Sequence, residues 1–246
     1  MVGGSAILTF GLWSSKISVS QLDESGHGIY SVTTIQGKGQ KCISFISASI
    51  AVCKGSEIGT ESLFAQQVTI HEKASIKNGC PPSNKFCPRV HAIQQLNQII
   101  HQLQQQKHAI ILMLDANQSL VDCYTGSRVK PCSIEWLWLQ RGLTDPFIKL
   151  VNSRPNSTTL IPNRDIDFVL TYGIDIVNIS TLHPDNPCQS DHLGKVFDID
   201  LNKFFSSSYS DIMSASPRLL TFGNLKAVTS YIKYITDQVT IHKIED

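Results

Sequence analysis

Hydrophobic and polar positions change rhythm several times along this chain, and each change marks a predicted element. The longest uninterrupted apolar run, Ala109-Ile110-Ile111-Leu112-Met113-Leu114, follows His108 and predicts a fully buried strand. Just before it, Ile93, Leu96, Ile100 and Leu103 recur at helical spacing with glutamines between them, an amphipathic helix that closes at Lys107. A helix leading into a buried strand is an α/β signature. Residues 6–10 form a short β-type run, 29–35 alternate, and 42–48 resume the β pattern. Gly37-Lys38-Gly39 between the last two predicts a hairpin. Residues 61–76 read as a helix, and 80–88 as a loop with three prolines.

Downstream, 133–141 predicts a helix with Trp136, Leu137 and Leu139 as core positions. Residues 142–147 read as a turn into a short strand. Residues 158–161 and 166–170 are expected to pair as strands, 174–181 to form a weaker strand, and 196–201 to close the domain. Past 203 the chain turns serine-rich, so 204–222 reads as a linker. Over 223–246, Leu225, Val228, Ile232, Ile235 and Val239 make a helical stripe behind Asn224, a suitable N-cap. A lone amphipathic helix has to bury its stripe, on this domain or against a further domain or partner.

Composition narrows the classes. The 246 residues, 41% of them hydrophobic, suffice for one large domain with a tail. Lys+Arg 21 against Asp+Glu 20 gives a net charge of +1, which removes any global electrostatic case for nucleic-acid binding and leaves only a local basic rim. The seven scattered cysteines read as reduced thiols of an intracellular protein, nuclear or cytoplasmic. Cys80 and Cys87 stand wider apart than the usual structural zinc pair. No apolar stretch approaches the roughly 20 residues of a membrane span.

Three motifs carry candidate chemistry, each where an apolar run stops or starts. They are Asp115-Ala116-Asn117, Arg164-Asp165-Ile166-Asp167 and Ser190-Asp191-His192. Open α/β sheets build their sites at strand ends. Asp115 can position or deprotonate a water, and Asn117 can donate its amide to a phosphate oxygen. Asp167 can accept a hydrogen bond from His192 and stabilise its imidazolium. Asp191 and His192 are neighbours, and both reach one pocket only from a loop at a strand mouth. Alone, each motif has a bland reading, since Asp-x-Asn after a strand is a common turn. Their order and strand context together set them apart.

Leu114-Asp115-Ala116-Asn117, Asp165-Ile166-Asp167-Phe168-Val169-Leu170 and Ser190-Asp191-His192 resemble three signatures of the endonuclease/exonuclease/phosphatase superfamily, which includes DNase I-like and apurinic-type endonucleases. The resemblance spans about residues 3–201. Residues 37–48, with Cys53 and Gln66-Gln67, are similar to its branch in non-LTR retrotransposons. The resemblance implies an α/β fold, a two-sheet sandwich flanked by helices in four layers, and Mg²⁺- or Mn²⁺-dependent cleavage of DNA or another phosphodiester. It assigns Asp115 to the attacking water and Asn117 to the phosphate. Asp191 would lie at the metal, His192 at the scissile phosphate, and Asp167 would orient His192.

The chain departs from that pattern twice. The family's early Asn and metal-ligating Glu should precede Gly3-Gly4, so the domain is expected to lack its first strands and to bind metal weakly. Ser49-Ile50-Ala51 stands where the family carries a Tyr, with neither phenol nor guanidinium. Two readings therefore stand: a phosphodiester hydrolase of retroelement origin, impaired by those losses, or an inactive relic serving as a nucleic-acid or protein binding module.

Overall fold

A computed structural model describes residues 5–37, 40–52, 59, 62–79, 86–119, 133–152, 157–159, 164–182, 191–205, 229 and 233. Two compact units divide it, residues 1–207 and 208–246. In the second unit only Thr229 and Lys233 are described, both helical, so the linker at 206–222 and most of the expected terminal helix lie outside the described residues.

The first unit is built on a five-stranded sheet in the order β1-β2-β3-β4-β5: β1 Ile17–Leu22, β2 Tyr30–Gln36, β3 Cys42–Ser49, β4 Ala109–Asp115 and β5 Asp167–Tyr172. All neighbours run antiparallel except β3 and β4, which are parallel. A parallel pair needs a long crossover, and α1 (Leu63–Lys77) and α2 (Pro88–Gln105) provide it. β6 (Ile176–Thr181) and β7 (Lys195–Ile199) form a separate antiparallel pair.

The apolar run of β4 shows why the sheet is the middle layer. Ile110, Leu112 and Leu114 pack with Ile93, Leu96 and Ile100 of α2 and with Leu137 of α3 (Ile134–Arg141). Ala109 and Ile111 face the other way, into a second core with Ile176, Ile179 and Phe197 of the two-stranded sheet. β5 alternates in step, with Phe168 and Leu170 in the first core and Val169 in the second. A strand buried on both faces needs no polar alternation, which is the pattern of residues 109–114. The architecture is thus helices on sheet on sheet, an α/β two-sheet sandwich as expected.

Several elements differ from the sequence expectation. Residues 5–10 form no strand; Gly11–Lys16 is a 3₁₀ turn, and the edge strand is β1. Leu8 and Phe10 stay exposed, so the short apolar run has no sheet to join. The segment after Asp145 is a short helix, α4 (Pro146–Val151), not a strand. Asp145 caps it by accepting from the Phe147 amide at 2.8 Å, and Pro146 starts it, a strong helix-start pair. Leu139 is exposed, while Leu137 is fully buried.

Thr158 and Thr159 do not pair with β5. Both amides donate to the Arg164 carbonyl, and Thr159 bridges His192 instead. The chain also stays ordered past 203. Helix α5 (Leu201–Phe205) buries Phe205 in the second core, directly over Gly37. A Cβ on Gly37 would lie 2.0 Å from the Phe205 ring.

Gly37→Ala is therefore expected to destabilise the domain by roughly 1–3 kcal/mol through overpacking. Phe205→Ala is expected to cost roughly 3–5 kcal/mol through the cavity it leaves. Urea unfolding checks both. A neutral Phe205→Ala would mean that residues past 203 are no part of the core.

Candidate active site

The second-core side of the main sheet ends in polar residues. Alternation along β4 carries Asp115 to the face already lined by Ala109 and Ile111. The same alternation along β5 puts Asp167 on the face of Val169. β4 and β5 pair so that Asp115 and Asp167 stand directly opposite each other, and on the other side Ser49 of β3 stands opposite Asp115. Two carboxylates thus meet across one strand boundary at the mouth of the sandwich.

His192 completes the group. Its Nδ1 lies 3.0 and 3.1 Å from the two carboxylate oxygens of Asp167. Asp115, Asp167 and His192 each offer a ligand-type atom within 4.8 Å of the others. All three are half-buried. They line a cavity of about 580 Å³ together with Ser47, Ser49, Lys195 and Phe197.

Buried Thr158 is the strut that holds this arrangement. Its hydroxyl accepts from the amides of Ile166 and Asp167 at 2.9 and 3.0 Å, which fixes the start of β5. Its carbonyl accepts from the Leu193 amide at 2.7 Å, and the Thr159–His192 bridge fixes the other partner. One dipeptide therefore sets the spacing of Asp167 and His192.

The charges respond to this crowding. Burial, and then the neighbouring Asp167 charge, push the Asp115 carboxyl above its usual range, outweighing the Asn117 amide, His192 and Ser49. Burial works against an imidazolium at His192, but Asp167, by charge and hydrogen bond, with Asp115 and Asp191, lifts that ring above its ordinary value. The stabilisation from His192 is thus complete below about pH 6.5 and fades as pH rises through its raised folded value.

Two residues expected at the site stand elsewhere in it. Asn117 has a left-handed backbone (φ 49°), which Asn tolerates well. Its side-chain amide donates to the Ile50 carbonyl at 3.0 Å and to Asp115 Oδ2 at 3.2 Å. It thus clips the loops after β3 and β4 together. Asp191 is exposed and outside the group of three; its charge adds to the rise in His192's proton affinity.

Other site residues carry no sequence signal. Arg89, near the start of α2, donates from Nη1 to the carbonyls of Ala51 and Ala116 at 3.3 and 2.9 Å and from Nη2 to Gln118. A guanidinium thus reaches the loop after β3 from a helix rather than from the strand end. Lys195, at the start of β7, brings its ammonium within 3.9 Å of Asp165 and 4.5 Å of the Phe147 ring centre.

No protein-family model matches the chain, and no curated protein does. Among solved structures it is similar to a 3′ phosphatase from Neisseria bound to a product DNA hairpin, at 13% identity and TM-score 0.44, covering 75% of this chain and 71% of that one. It is also similar to the Xenopus laevis APE2 catalytic domain, at 12% identity and TM-score 0.42, over 71% and 58% of the two chains. An endonuclease/exonuclease/phosphatase family protein from Leptotrichia buccalis matches at 13% identity and TM-score 0.40, over 75% of this chain. The chain spans 62% of that protein's length.

Thr158→Val, which keeps the shape and removes the hydroxyl, strands the amides of Ile166 and Asp167. It is expected to cost roughly 1–3 kcal/mol in urea unfolding. Asp115 binds its proton more tightly folded than unfolded, so ionising it costs stability as pH rises above the usual carboxylate range. Asp115→Asn is accordingly expected to raise the thermal midpoint at pH 7, with the gain vanishing near about pH 3, where both forms are neutral. Equal midpoints at pH 7 would contradict the crowded-carboxylate geometry.

Proposed function

We propose that the chain is a divalent-metal-dependent phosphodiester hydrolase acting on DNA, of retroelement origin, with its centre at the ends of β4 and β5. The observation that carries this reading is the meeting of Asp115, Asp167 and His192 within 4.8 Å at the mouth of the cavity. Two carboxylates and an imidazole fit a hard to borderline divalent ion such as Mg²⁺ or Mn²⁺. Asp115 and Asp167 would hold it, and His192 would stand beside it. Once bound, such an ion polarises a phosphoryl oxygen and offsets the charge that develops on it.

The chain's own groups then divide the work. Asp115 is suited to orient the attacking water beside the ion. Asp167 occupies Nδ1 of His192 and leaves Nε2 as the ring's outward donor. The raised affinity of that ring keeps a share of imidazolium at neutral pH, able to donate to a phosphate oxygen or the leaving group. Metal ligation requires an ionised Asp115, so affinity is expected to fall with acid earlier than at an ordinary carboxylate site. A second reading, a binding module without turnover, draws on Asp191 standing outside the group and on the Asn117 amide being engaged by Ile50 and Asp115.

Nicking of supercoiled plasmid, and of a duplex with one abasic site, separates the two. Cleavage in Mg²⁺ or Mn²⁺ that stops in EDTA and drops by about 10²–10⁴-fold in His192→Ala is the expected result. Absence of cleavage by a folded protein in either metal would leave the binding-module reading.

A further inference from the structure

A second group of imidazoles lies away from the carboxylates, where the turn between β1 and β2 meets the two crossover helices. His27, in the turn, is 8% exposed. Its ring centre is 5.1 Å from that of His91, in the first turn of α2, and 6.4 Å from that of His71 on α1. Phe86 walls the group, stacked on His71 at 3.8 Å. Nε2 of His27 and Nε2 of His91 are both buried, and neither has a hydrogen-bond partner. Two buried ring nitrogens without partners are costly to leave so.

The hydrogen-bond chain behind His27 fixes its tautomer. Burial opposes ionisation of Asp23, but the Ser25 hydroxyl and the amides of Ile29 and Ser25 hold its carboxyl below the usual range. An ionised carboxylate only accepts. Ser25 Oγ therefore donates to Asp23 Oδ1 at 2.6 Å, and accepts from His27 Nδ1, which lies 2.7 Å away. A neutral ring with its proton on Nδ1 carries a bare lone pair on Nε2. The carboxylate–hydroxyl–imidazole chain is the kind of outer support that orients metal-binding histidines.

The spacing also suits a metal. Two imidazoles bound tetrahedrally through nitrogens at about 2.0–2.1 Å place their ring centres about 5 Å apart. We propose that His27 and His91 are two of the ligands of a Zn²⁺-class transition-metal ion, bound through their Nε2 atoms. Such an ion pins the β1–β2 turn to the start of α2. That helix end also carries Arg89, which holds the loops after β3 and β4. The role is structural and independent of the hydrolytic reading.

Co²⁺ titration followed by visible absorption tests this, in a parent carrying Asp115→Asn and His192→Ala so that the carboxylate site is silent. One equivalent is expected to bind with a nitrogen/oxygen spectrum lacking a thiolate charge-transfer band, and Zn²⁺ should displace it. His27→Ala and His91→Gln should each abolish that spectrum. Ser25→Ala, which leaves both ligands in place, should weaken binding by about 10–100-fold and serves if His27→Ala fails to fold. No Co²⁺ bound by the folded parent would overturn the proposal. So would a spectrum unchanged by His91→Gln and Ser25→Ala.

Discussion

The cross-strand pair of Asp115 and Asp167 is the constraint around which this end of the molecule is arranged. Like charges directly opposite on a sheet repel, and burial makes the repulsion worse. Most of the nearby polar chemistry can be read as a response. His192 lies against Asp167, the Asn117 amide and the Ser49 hydroxyl turn towards Asp115, and the Asp115 carboxyl resists ionisation. A sheet gains no stability from such a pair, so its position at the mouth of a cavity is informative. A cation between the two carboxylates would relieve the conflict more completely than the described groups around them do.

The scaffold that imposes the pair is apolar and rigid. β4 has a core on each face, so a slip of its register would exchange two full sets of buried side chains. The fixed register carries Asp115 and Asp167 to the same level. The hydroxyl of Thr158 and the guanidinium of Arg89 then set the loops beyond the strand ends, each satisfying main-chain groups that no strand or helix serves.

Much of this scaffold was legible in the sequence because it follows from periodicity. The unbroken apolar run of β4 and the helical spacing of Ile93, Leu96, Ile100 and Leu103 each have one comfortable reading. The hairpin of β2 and β3 was marked by its glycines. Local chemistry misled where side chains compete with strands. Asp145-Pro146 starts a helix in a segment that reads as strand, and Thr158 spends its hydroxyl on a loop. Asp115, Asp167 and His192 were legible as residue types at strand ends, but their meeting depends on register. Arg89 and Thr158 gave no signal, since their work is on backbone groups brought near only by folding. Asp191 was expected at the metal from the family resemblance; it stands exposed, outside the group of Asp115, Asp167 and His192.

The most direct measurement is a crystal structure of the protein soaked in Mn²⁺, with data recorded at the manganese absorption edge. The account predicts an anomalous peak bounded by Asp115 and Asp167, with His192 beside it. Peaks only elsewhere, or none between those two carboxylates at saturating Mn²⁺, would contradict it.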